Sequence, residues 1–255
     1  MNQEIYAKID HLTTSVLNEV RDISGVEGMW LLELPVDYLS WLMAGADRIR
    51  KQFLGEQIEV CAIANVRSGN CSENCGFCAQ SGHYNTPAQA HPYIPAESLT
   101  DKAKQARQWG ASDFGMVSKG WGIRTAKERS QLRDYLGNLS DSSDIGRCAS
   151  LGVLTEQTAQ ELKDMGLENY HHNLETARSF FDQVCTTHSY QENIDTVRHA
   201  VNAGLRVCSG GILGMGESNA QRMELALTLR DIGVQSVPLN FLNPVEGTPM
   251  GKRTP

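Results

Sequence analysis

The sequence has no excess of basic charge. Its 255 residues contain 23 Lys and Arg against 30 Asp and Glu, which gives a formal net charge of -7 at pH 7. Binding to nucleic acid or to an anionic membrane surface requires a concentration of positive charge, and the chain shows no such footprint. We therefore expect a small-molecule substrate, with no nucleic acid and no membrane among the partners.

No apolar run is long enough for a secretory signal or a membrane-spanning helix. The start, MNQEIYAKIDHLTTSVLNEV, is polar and charged and lacks the apolar core of a signal peptide. The most apolar stretch, GMWLLELPVDYLSWLMAGA, is interrupted by Glu33, Pro35 and Asp37 and cannot span a bilayer. These absences predict a cytoplasmic protein.

The chain also lacks low-complexity tracts and a disulfide framework. Hydrophobic residues make up 40% of the sequence and charged residues 21%, which is ordinary for a soluble protein. The cysteines number seven, an odd count in a long chain that we expect to be reduced, so metal binding or catalysis is favoured over disulfides. The length suits one α/β barrel or a large doubly wound sheet.

Apolar periodicity divides the chain into a helical extension and an α/β region. Residues 4–22 and 36–53 have apolar positions at helical spacing, and from residue 58 short β-prone runs alternate with amphipathic stretches. Six strand patterns alternate with five helix patterns, which favours a parallel sheet. We predict an N-terminal helical extension over residues 1–55 and a barrel domain over residues 56–255.

The candidate functional residues lie on the strand patterns or just after them. A TIM-type (β/α) barrel carries its chemistry at the C-terminal ends of its strands, so this placement favours a barrel over an open sheet. A complete barrel has eight strands, whereas this chain stops about ten residues after the sixth pattern. We therefore predict an incomplete barrel of about six βα units, either a fragment of a longer product or a protein closed by a partner subunit.

A cysteine-rich loop, CSENCGFC, follows the first strand pattern. It places Cys71, Cys75 and Cys78 four and then three residues apart. Closely spaced thiolates in a reduced protein hold zinc or an iron-sulfur cluster. Zinc would need a fourth ligand, for which His83 is a candidate. Three cysteines on a four-iron cluster leave one iron open, as catalysis requires, and Phe77 beside the last cysteine makes this interpretation more specific.

Five ordered blocks of the sequence resemble the radical S-adenosylmethionine (SAM) superfamily and, within it, the biotin synthases of anaerobic bacteria. They are SGNCSENCGFCAQSGHYNT, CASLGVLTEQTAQELKDMGLENYHHNLET, CTTHSYQENIDT, VCSGGILGMGES and SVPLNFLNPVEGTP. The resemblance runs from about residue 40 to residue 250. It implies a homodimeric barrel enzyme that converts dethiobiotin into biotin.

In that family three cysteines hold a 4Fe-4S cluster whose open iron binds SAM. Reduction cleaves SAM to methionine and a 5′-deoxyadenosyl radical, which abstracts hydrogen from dethiobiotin, and an auxiliary cluster supplies sulfur. The resemblance implies that Cys71, Cys75 and Cys78 are the catalytic ligands, that Phe77 contacts the cofactor, and that flavodoxin or ferredoxin supplies electrons. A related enzyme with another small substrate and a non-catalytic iron-sulfur or zinc protein remain as alternatives.

Four cysteines lie outside this loop. A buried cysteine is usually a small hydrophobic residue, but four of them beside this resemblance favour a second cluster. Well-known biotin synthases hold a 2Fe-2S cluster with three cysteines and an arginine. Cys148 and Cys208 match two of these, Gly115 stands at the third, and the arginine strand is absent. The anaerobe-type resemblance implies instead a four-iron auxiliary cluster, favoured over 2Fe-2S, held by Cys61, Cys148, Cys185 and Cys208.

The segment SGGILGMGE follows the fifth strand pattern and has glycines where a ligand must approach the backbone closely. By itself it is typical of an ordinary strand-to-helix turn. By resemblance it is the SAM-binding turn, and Glu175 matches the acidic residue that contacts the SAM ribose. The predicted glycine contacts are Gly210, Gly211, Gly214 and Gly216.

Asn173 and Asn240 match family asparagines that bind the ureido ring of dethiobiotin. An amide offers both donors and an acceptor, which suits a urea, although a strand-end asparagine often makes only a turn bond. His171 and Asn193 depart from the family pattern, since a common member has asparagine and arginine there. His188 is either a hydrogen-bond donor behind the site or a structural histidine.

Overall fold

The computed structural model describes residues 2–142 and 144–254. The chain divides into two compact units, Met1–Ile58 and Glu59–Pro255. Among the described residues, no helix combines the length and the apolar character that crossing a membrane requires.

The first unit is helical, as predicted. Its elements are α1 (Gln3–Glu19), α2 (Gly25–Leu32), a short 3-10 turn (Val36–Tyr38) and α3 (Leu39–Leu54). The periodicity misses α2, which lies between the two predicted helices. A capping box starts this helix, because the Ser24 hydroxyl accepts from the Glu27 N–H and the Glu27 carboxylate accepts from the Ser24 N–H. The helices α1 and α3 pack closely at Gly45, where a β-carbon would lie 2.5 Å from the Thr13 hydroxyl.

The second unit is an α/β fold with parallel strands. Five strands pair in sequence order, namely β1 (Cys61–Arg67), β2 (Asp113–Ser118), β3 (Gly146–Ser150), β4 (Asn169–His171) and β5 (Arg206–Cys208). Two further strands, β6 (Gly211–Leu213) and β7 (Leu239–Phe241), form a parallel pair. Single bridges from Gly211 to Glu175 and from Cys208 to Ser236 continue the wall from one sheet to the other.

Helices alternate with these strands. They are α4 (Ala96–Gln108), α5 (Ala126–Ser142), α6 (Glu156–Asp164), α7 (Arg178–Phe181), α8 (Tyr190–Asn202) and α9 (Asn219–Asp231). The predicted alternation of strands and helices is therefore confirmed, and so is the barrel-type α/β class.

The fifth strand pattern, LRVCSGGIL, is two strands and not one. The break between them falls at Ser209 and Gly210, and a β-carbon at Gly210 would overlap the Pro238 carbonyl, so only glycine allows this close approach. The sixth pattern, QSVPLNFL, is also shorter than predicted. Its strand begins after Pro238, which has no N–H to donate to a ladder.

The two faces of each strand have different partners, and this alternation positions the site. On β2, Phe114 and Met116 are 2% and 0% exposed and belong to the core between sheet and helices. Asp113, Gly115 and Val117 point the other way and line a cavity inside the barrel wall. Successive side chains of a strand point to opposite faces, so one strand contributes to both the core and the cavity.

Truncating the core face should cost far more stability than truncating the cavity face. We expect Phe114→Ala to lower the free energy of unfolding by about 3–5 kcal/mol, because it leaves a void among buried side chains. Val117→Ala on the same strand is the matched control, and we expect it to cost less than about 1.5 kcal/mol. Chemical denaturation under anaerobic conditions measures both, and equal losses would contradict the assignment of faces.

Candidate active site

The cysteine loop leaves β1 through a left-handed turn. Gly69 and Asn70 have φ values of 71° and 51°, and they turn the chain back on itself. The Cys71 N–H then donates to the Gln80 carbonyl (2.8 Å), and the Gly82 N–H donates to the Cys71 carbonyl (2.8 Å). The loop is thus closed by its own backbone. Its free, half-buried thiols are Cys71, Cys75 and Cys78.

These thiols lie close enough to affect one another. Desolvation raises the pKa of Cys78, and the nearby Cys71 and Glu175 raise it further. A hydrogen bond with Cys185 raises the pKa of Cys75, to which burial adds. Crowded thiols that resist ionisation give up their protons when a metal binds them. The donor set therefore fits an iron-sulfur cluster held by three thiolates.

Cys185 lies beside this loop and not beside the other cysteines predicted to share its cluster. Its Sγ is 3.7 Å from the Cys75 Sγ, 3.3 Å from the His188 Nδ1 and 3.3 Å from the Asn74 Oδ1. The Cys75, Cys185 and His188 ligand atoms all lie within 4.8 Å of one another. Hydrogen bonds hold the segment after α7 against the cysteine loop, so the structure places Cys185 at that loop, and the predicted set of four auxiliary ligands stays a prediction.

A polar network connects that segment to the loop. The Glu73 carboxylate contacts the His188 Nδ1 (2.8 Å) and accepts from the Thr187 hydroxyl (2.7 Å). The Asn74 amide oxygen accepts from the Thr186 N–H (2.9 Å). The sequence analysis did not predict a role for Glu73 and Asn74. Their position as a polar pair between two cysteines, in CSENC, could have indicated one.

The same network shifts the pKa values of Cys185 and His188. Hydrogen bonding from Cys75 lowers the pKa of Cys185 to about 3, and His188 contributes to this against burial. Desolvation alone would lower the pKa of His188, but its contacts with Cys185 and Glu73 raise it to about 9. His188 therefore contacts both the Cys185 thiol and the Glu73 carboxylate. This position makes it a structural link between the two segments.

The remaining three cysteines come together inside the barrel wall. Cys61, Cys148 and Cys208 lie on β1, β3 and β5, and all three line a cavity of about 410 Å³. Desolvation raises the pKa of Cys148 to about 12, and the nearby Cys61 and Cys208 raise it as well. Gly115 adds space next to them, since a β-carbon there would be 3.9 Å from the Cys148 Cβ. Three thiols around an open cavity fit a second iron-sulfur cluster.

Paired polar groups form the floor of this cavity. The Asn169 amide donates to the Asp113 Oδ1 (2.8 Å). The Arg206 guanidinium contacts both Glu59 oxygens, at 2.7 and 3.2 Å. These groups satisfy one another at the N-terminal ends of the strands. The cysteine loop, in contrast, follows the C-terminal end of β1, so these polar groups lie at the opposite end of the strands from that loop.

The predicted SAM turn packs tightly after β5. A β-carbon on Gly211 would lie 2.5 Å from the Glu175 carbonyl, and Gly214 and Gly216 have φ values of 91° and 112°. The Glu217 carboxylate stabilises the turn by accepting from the Gly214 N–H (2.8 Å) and the Gly216 N–H (3.1 Å). Glu217 was not predicted as a site residue. Its carboxylate also binds Arg222 (2.8 Å), so it holds the turn against α9.

Glu175 adjoins both the glycine turn and the cysteine loop. It has a left-handed backbone (φ 67°), rare for a residue with a side chain. Desolvation raises its pKa to about 7, although the Asn173 amide opposes this by donating to the carboxylate at 3.4 Å. The Asn173 oxygen in turn accepts from the Gly210 N–H (3.1 Å). The predicted ribose contact is therefore held beside the predicted SAM turn.

Asn240 and Phe77 take different places in the structure. Asn240 lies on β7 opposite Ile212 of β6 and is exposed, one strand away from the segment that carries Asn173. Phe77 packs against a small apolar cluster, so it supports the loop from outside, and its contact with a cofactor stays a prediction. The members of that cluster are Phe180, Val184, Met215, Leu242 and Met250.

The two histidines of YHHN face different surroundings. The His172 Nε2 contacts the amide oxygen of Asn193 on α8 (2.9 Å), so each side chain has a polar partner. His171 lines the cavity instead and is the register partner of Cys208. Two positions depart from the family pattern. Asn193 contacts His172 within the fold, and His171 lines the cavity together with the three cysteines of β1, β3 and β5.

Residues 65–229 match the family model described as the radical SAM superfamily. The chain is 46% identical over 233 residues to a biotin synthase of Syntrophotalea carbinolica, which covers 91% of this chain and 71% of that protein. It is 43% identical over 240 residues to a biotin synthase of Geotalea uraniireducens, covering 94% of this chain and 73% of that protein.

Solved structures share the fold at low sequence identity. Methylornithine synthase (PylB) superposes with a TM-score of 0.84 at 16% identity, covering 94% of this chain and 70% of that one. The FeFe-hydrogenase maturase HydG from Carboxydothermus hydrogenoformans gives a TM-score of 0.80 at 17% identity, with coverage of 100% and 61%.

The relatives confirm the family resemblance seen in the sequence blocks. Superfamily membership also implies a 4Fe-4S cluster and SAM as cofactors. With its cysteine loop, glycine turn and thiol-lined barrel, this chain belongs to the radical SAM superfamily and, within it, to the biotin synthase family.

Proposed function

We propose that this protein is a radical SAM sulfurtransferase that inserts sulfur into dethiobiotin to form biotin. The observation that carries the proposal is the division of the cysteines into two sets. The loop set, Cys71, Cys75 and Cys78, lies after β1 at the C-terminal end of the strands. The lumen set is Cys61, Cys148 and Cys208. An enzyme that both makes a radical and donates sulfur needs two clusters, and the two sets supply separate places for them.

The loop set holds the 4Fe-4S cluster that binds SAM. When bound, this pair supplies a 5′-deoxyadenosyl radical. Glu175 accepts hydrogen bonds from the ribose hydroxyls. Its carboxylate lies near enough to the loop to raise the pKa of both Cys75 and Cys78, which places it beside the SAM cluster. The turn at Gly210, Gly211, Gly214 and Gly216 lets the ligand approach the backbone.

The lumen set holds the auxiliary cluster, of the four-iron type in preference to 2Fe-2S. Its support is the shared cavity and the mutual effect of the three thiols on their pKa values. Cys185 is left out of this set, because its thiol contacts Cys75 at 3.7 Å. Its role is to hold the segment after α7 against the SAM-cluster loop, together with His188 and Glu73.

Dethiobiotin is the proposed small-molecule substrate. Asn173 already uses its amide oxygen on the Gly210 N–H, which leaves one amide hydrogen for a ureido carbonyl, and Asn240 is exposed and available to the ring. The further proposals are a cytoplasmic homodimer, reduction by flavodoxin or ferredoxin, and two domains over residues 1–55 and 56–255.

Anaerobic incubation with SAM, dithionite and dethiobiotin tests the proposed function. We expect 5′-deoxyadenosine and biotin to form together. Formation of 5′-deoxyadenosine without biotin would assign the protein to a different small substrate. Absence of both from protein that carries its iron would overturn the proposal.

Removing one thiol from each set should separate the two half-functions. We expect Cys71→Ala to abolish 5′-deoxyadenosine formation, because the SAM cluster loses a ligand. We expect Cys148→Ala to retain 5′-deoxyadenosine formation and to lose biotin formation. Product analysis with iron and sulfide quantitation checks both variants, and loss of radical formation in Cys148→Ala would contradict the division of roles.

Cys185→Ala should retain the auxiliary iron. The thiol lies beside the SAM-cluster loop, so we expect its removal to leave the lumen set complete. Cys208→Ala is the matched control, and we expect that variant to lose auxiliary iron. Iron and sulfide analysis on anaerobically reconstituted proteins decides between them. Equal loss in both variants would restore Cys185 to the auxiliary set.

Glu175 should give SAM binding a pH dependence. Only the carboxylate accepts from both ribose hydroxyls, and with a pKa of about 7 it is lost by protonation as the pH falls below 7. We expect the KM for SAM to fall as the pH rises through about 7. Glu175→Gln should raise that KM about tenfold or more, the size expected for one charged hydrogen bond, and should remove its pH dependence. Glu156→Gln, at an exposed position at the start of α6, is the control, and an unchanged KM in Glu175→Gln would refute the contact.

A further inference from the structure

The lumen set offers three ligands, while a four-iron cluster with every iron bound by a side chain takes four. The inference that follows rests on the auxiliary cluster of the proposed function. Cys185 lies at the SAM-cluster loop, and the other cysteines are already assigned. A fourth side-chain ligand must therefore come from a residue other than cysteine that lines the same cavity.

Strand register places the cavity residues in layers. Residues of one layer in a barrel come from alternate strands. Cys61, Cys148 and Cys208 come from β1, β3 and β5 and face one another. Asp113 and Asn169 come from β2 and β4 and bond across the intervening strand at 2.8 Å, which forms a layer below the thiols. The position of β3 in this contact is Gly146, where a β-carbon would overlap the Asp113 carboxylate.

The acidic groups of the cavity are already engaged. Asp113 accepts from Asn169 at one oxygen (2.8 Å) and from the Ser112 hydroxyl at the other (2.9 Å). Both Glu59 oxygens accept from Arg206. Binding iron through either carboxylate would break contacts that hold the cavity floor together.

His171 has a different position. It lies on β4 as the direct register partner of Cys208, and its side chain lines the cavity. Neighbouring strands are about 5 Å apart, so the two side chains stand next to each other on one face. Histidine is the commonest metal ligand among protein side chains, and it binds the metal through a ring nitrogen.

We propose that His171 is the fourth side-chain ligand of the auxiliary cluster, beside Cys61, Cys148 and Cys208. Imidazole is an established ligand of iron in iron-sulfur centres, where it raises the reduction potential relative to thiolate. His171 approaches the thiol layer from the C-terminal side of the strands. Asn173 of the proposed substrate site follows His171 by two residues along the chain.

Isotope-edited pulsed EPR tests this ligand directly. The protein used is the full chain with Cys71→Ala, Cys75→Ala and Cys78→Ala, so that only the auxiliary cluster remains. It is reconstituted anaerobically, reduced with dithionite and measured without SAM, once unlabelled and once with ¹⁵N-histidine. We expect a nitrogen hyperfine coupling that changes with the label and disappears in His171→Ala.

Two further variants keep the test decisive. His172→Ala changes the neighbouring histidine, whose ring contacts Asn193 and not the cavity, and we expect it to retain the coupling. If His171→Ala loses its iron, His171→Cys should hold the iron, lack the nitrogen coupling and show a lower reduction potential. Absence of the coupling from the labelled parent, or its persistence in His171→Ala, would overturn the ligand.

The same samples separate this inference from the proposed function. Iron in the parent variant without a nitrogen coupling rejects His171 alone and leaves the auxiliary cluster in place. No iron in that variant rejects the auxiliary cluster and the ligand together. A nitrogen coupling in a protein that forms no biotin supports the ligand and rejects dethiobiotin as the substrate.

Discussion

The structure depends on the alternation of side chains along the parallel strands. Phe114 and Met116 bury one face of β2 against the helices. Asp113 and Gly115, which alternate with them along the strand, face the cavity. The core supplies the apolar burial that stabilises the wall. Because that face is stable, the opposite face can hold thiols, an ion pair and a histidine. These polar groups add less to the stability of the fold than the apolar core does, and they supply the candidate ligands of the site.

The thiols of the lumen set also determine where metal binds. Desolvation raises the pKa of Cys148 to about 12 and also raises the pKa of Cys61 and of Cys208, so these thiols resist ionisation. Iron binding must displace those protons, and the binding free energy then contributes to folding. The SAM-cluster loop differs, because the Cys75 thiol donates a hydrogen bond to Cys185, which also contacts His188. The two sets therefore provide distinct electrostatic surroundings for two clusters.

The connection between the cofactor regions depends on a few short contacts. Asn173 bonds to Gly210 and Glu175, and Glu217 holds the following glycine turn through two backbone N–H groups. The Glu73 network holds the segment after α7 to the cysteine loop. These contacts hold together the segments that follow β1, β4 and β5, which are the segments assigned to the SAM cluster, to SAM and to the substrate.

The sequence alone determined the α/β class, the family and the ligand spacing of Cys71, Cys75 and Cys78, because these depend on local periodicity and short motifs. It could not place Cys185, which is distant along the chain from Cys75 yet 3.7 Å from it. The sequence also predicted β5 and β6 as one strand, because the close contact between Gly210 and Pro238 joins residues that are distant along the chain. Only tertiary structure decided which thiols share a cavity, because strand register and the packing of loops bring distant residues together.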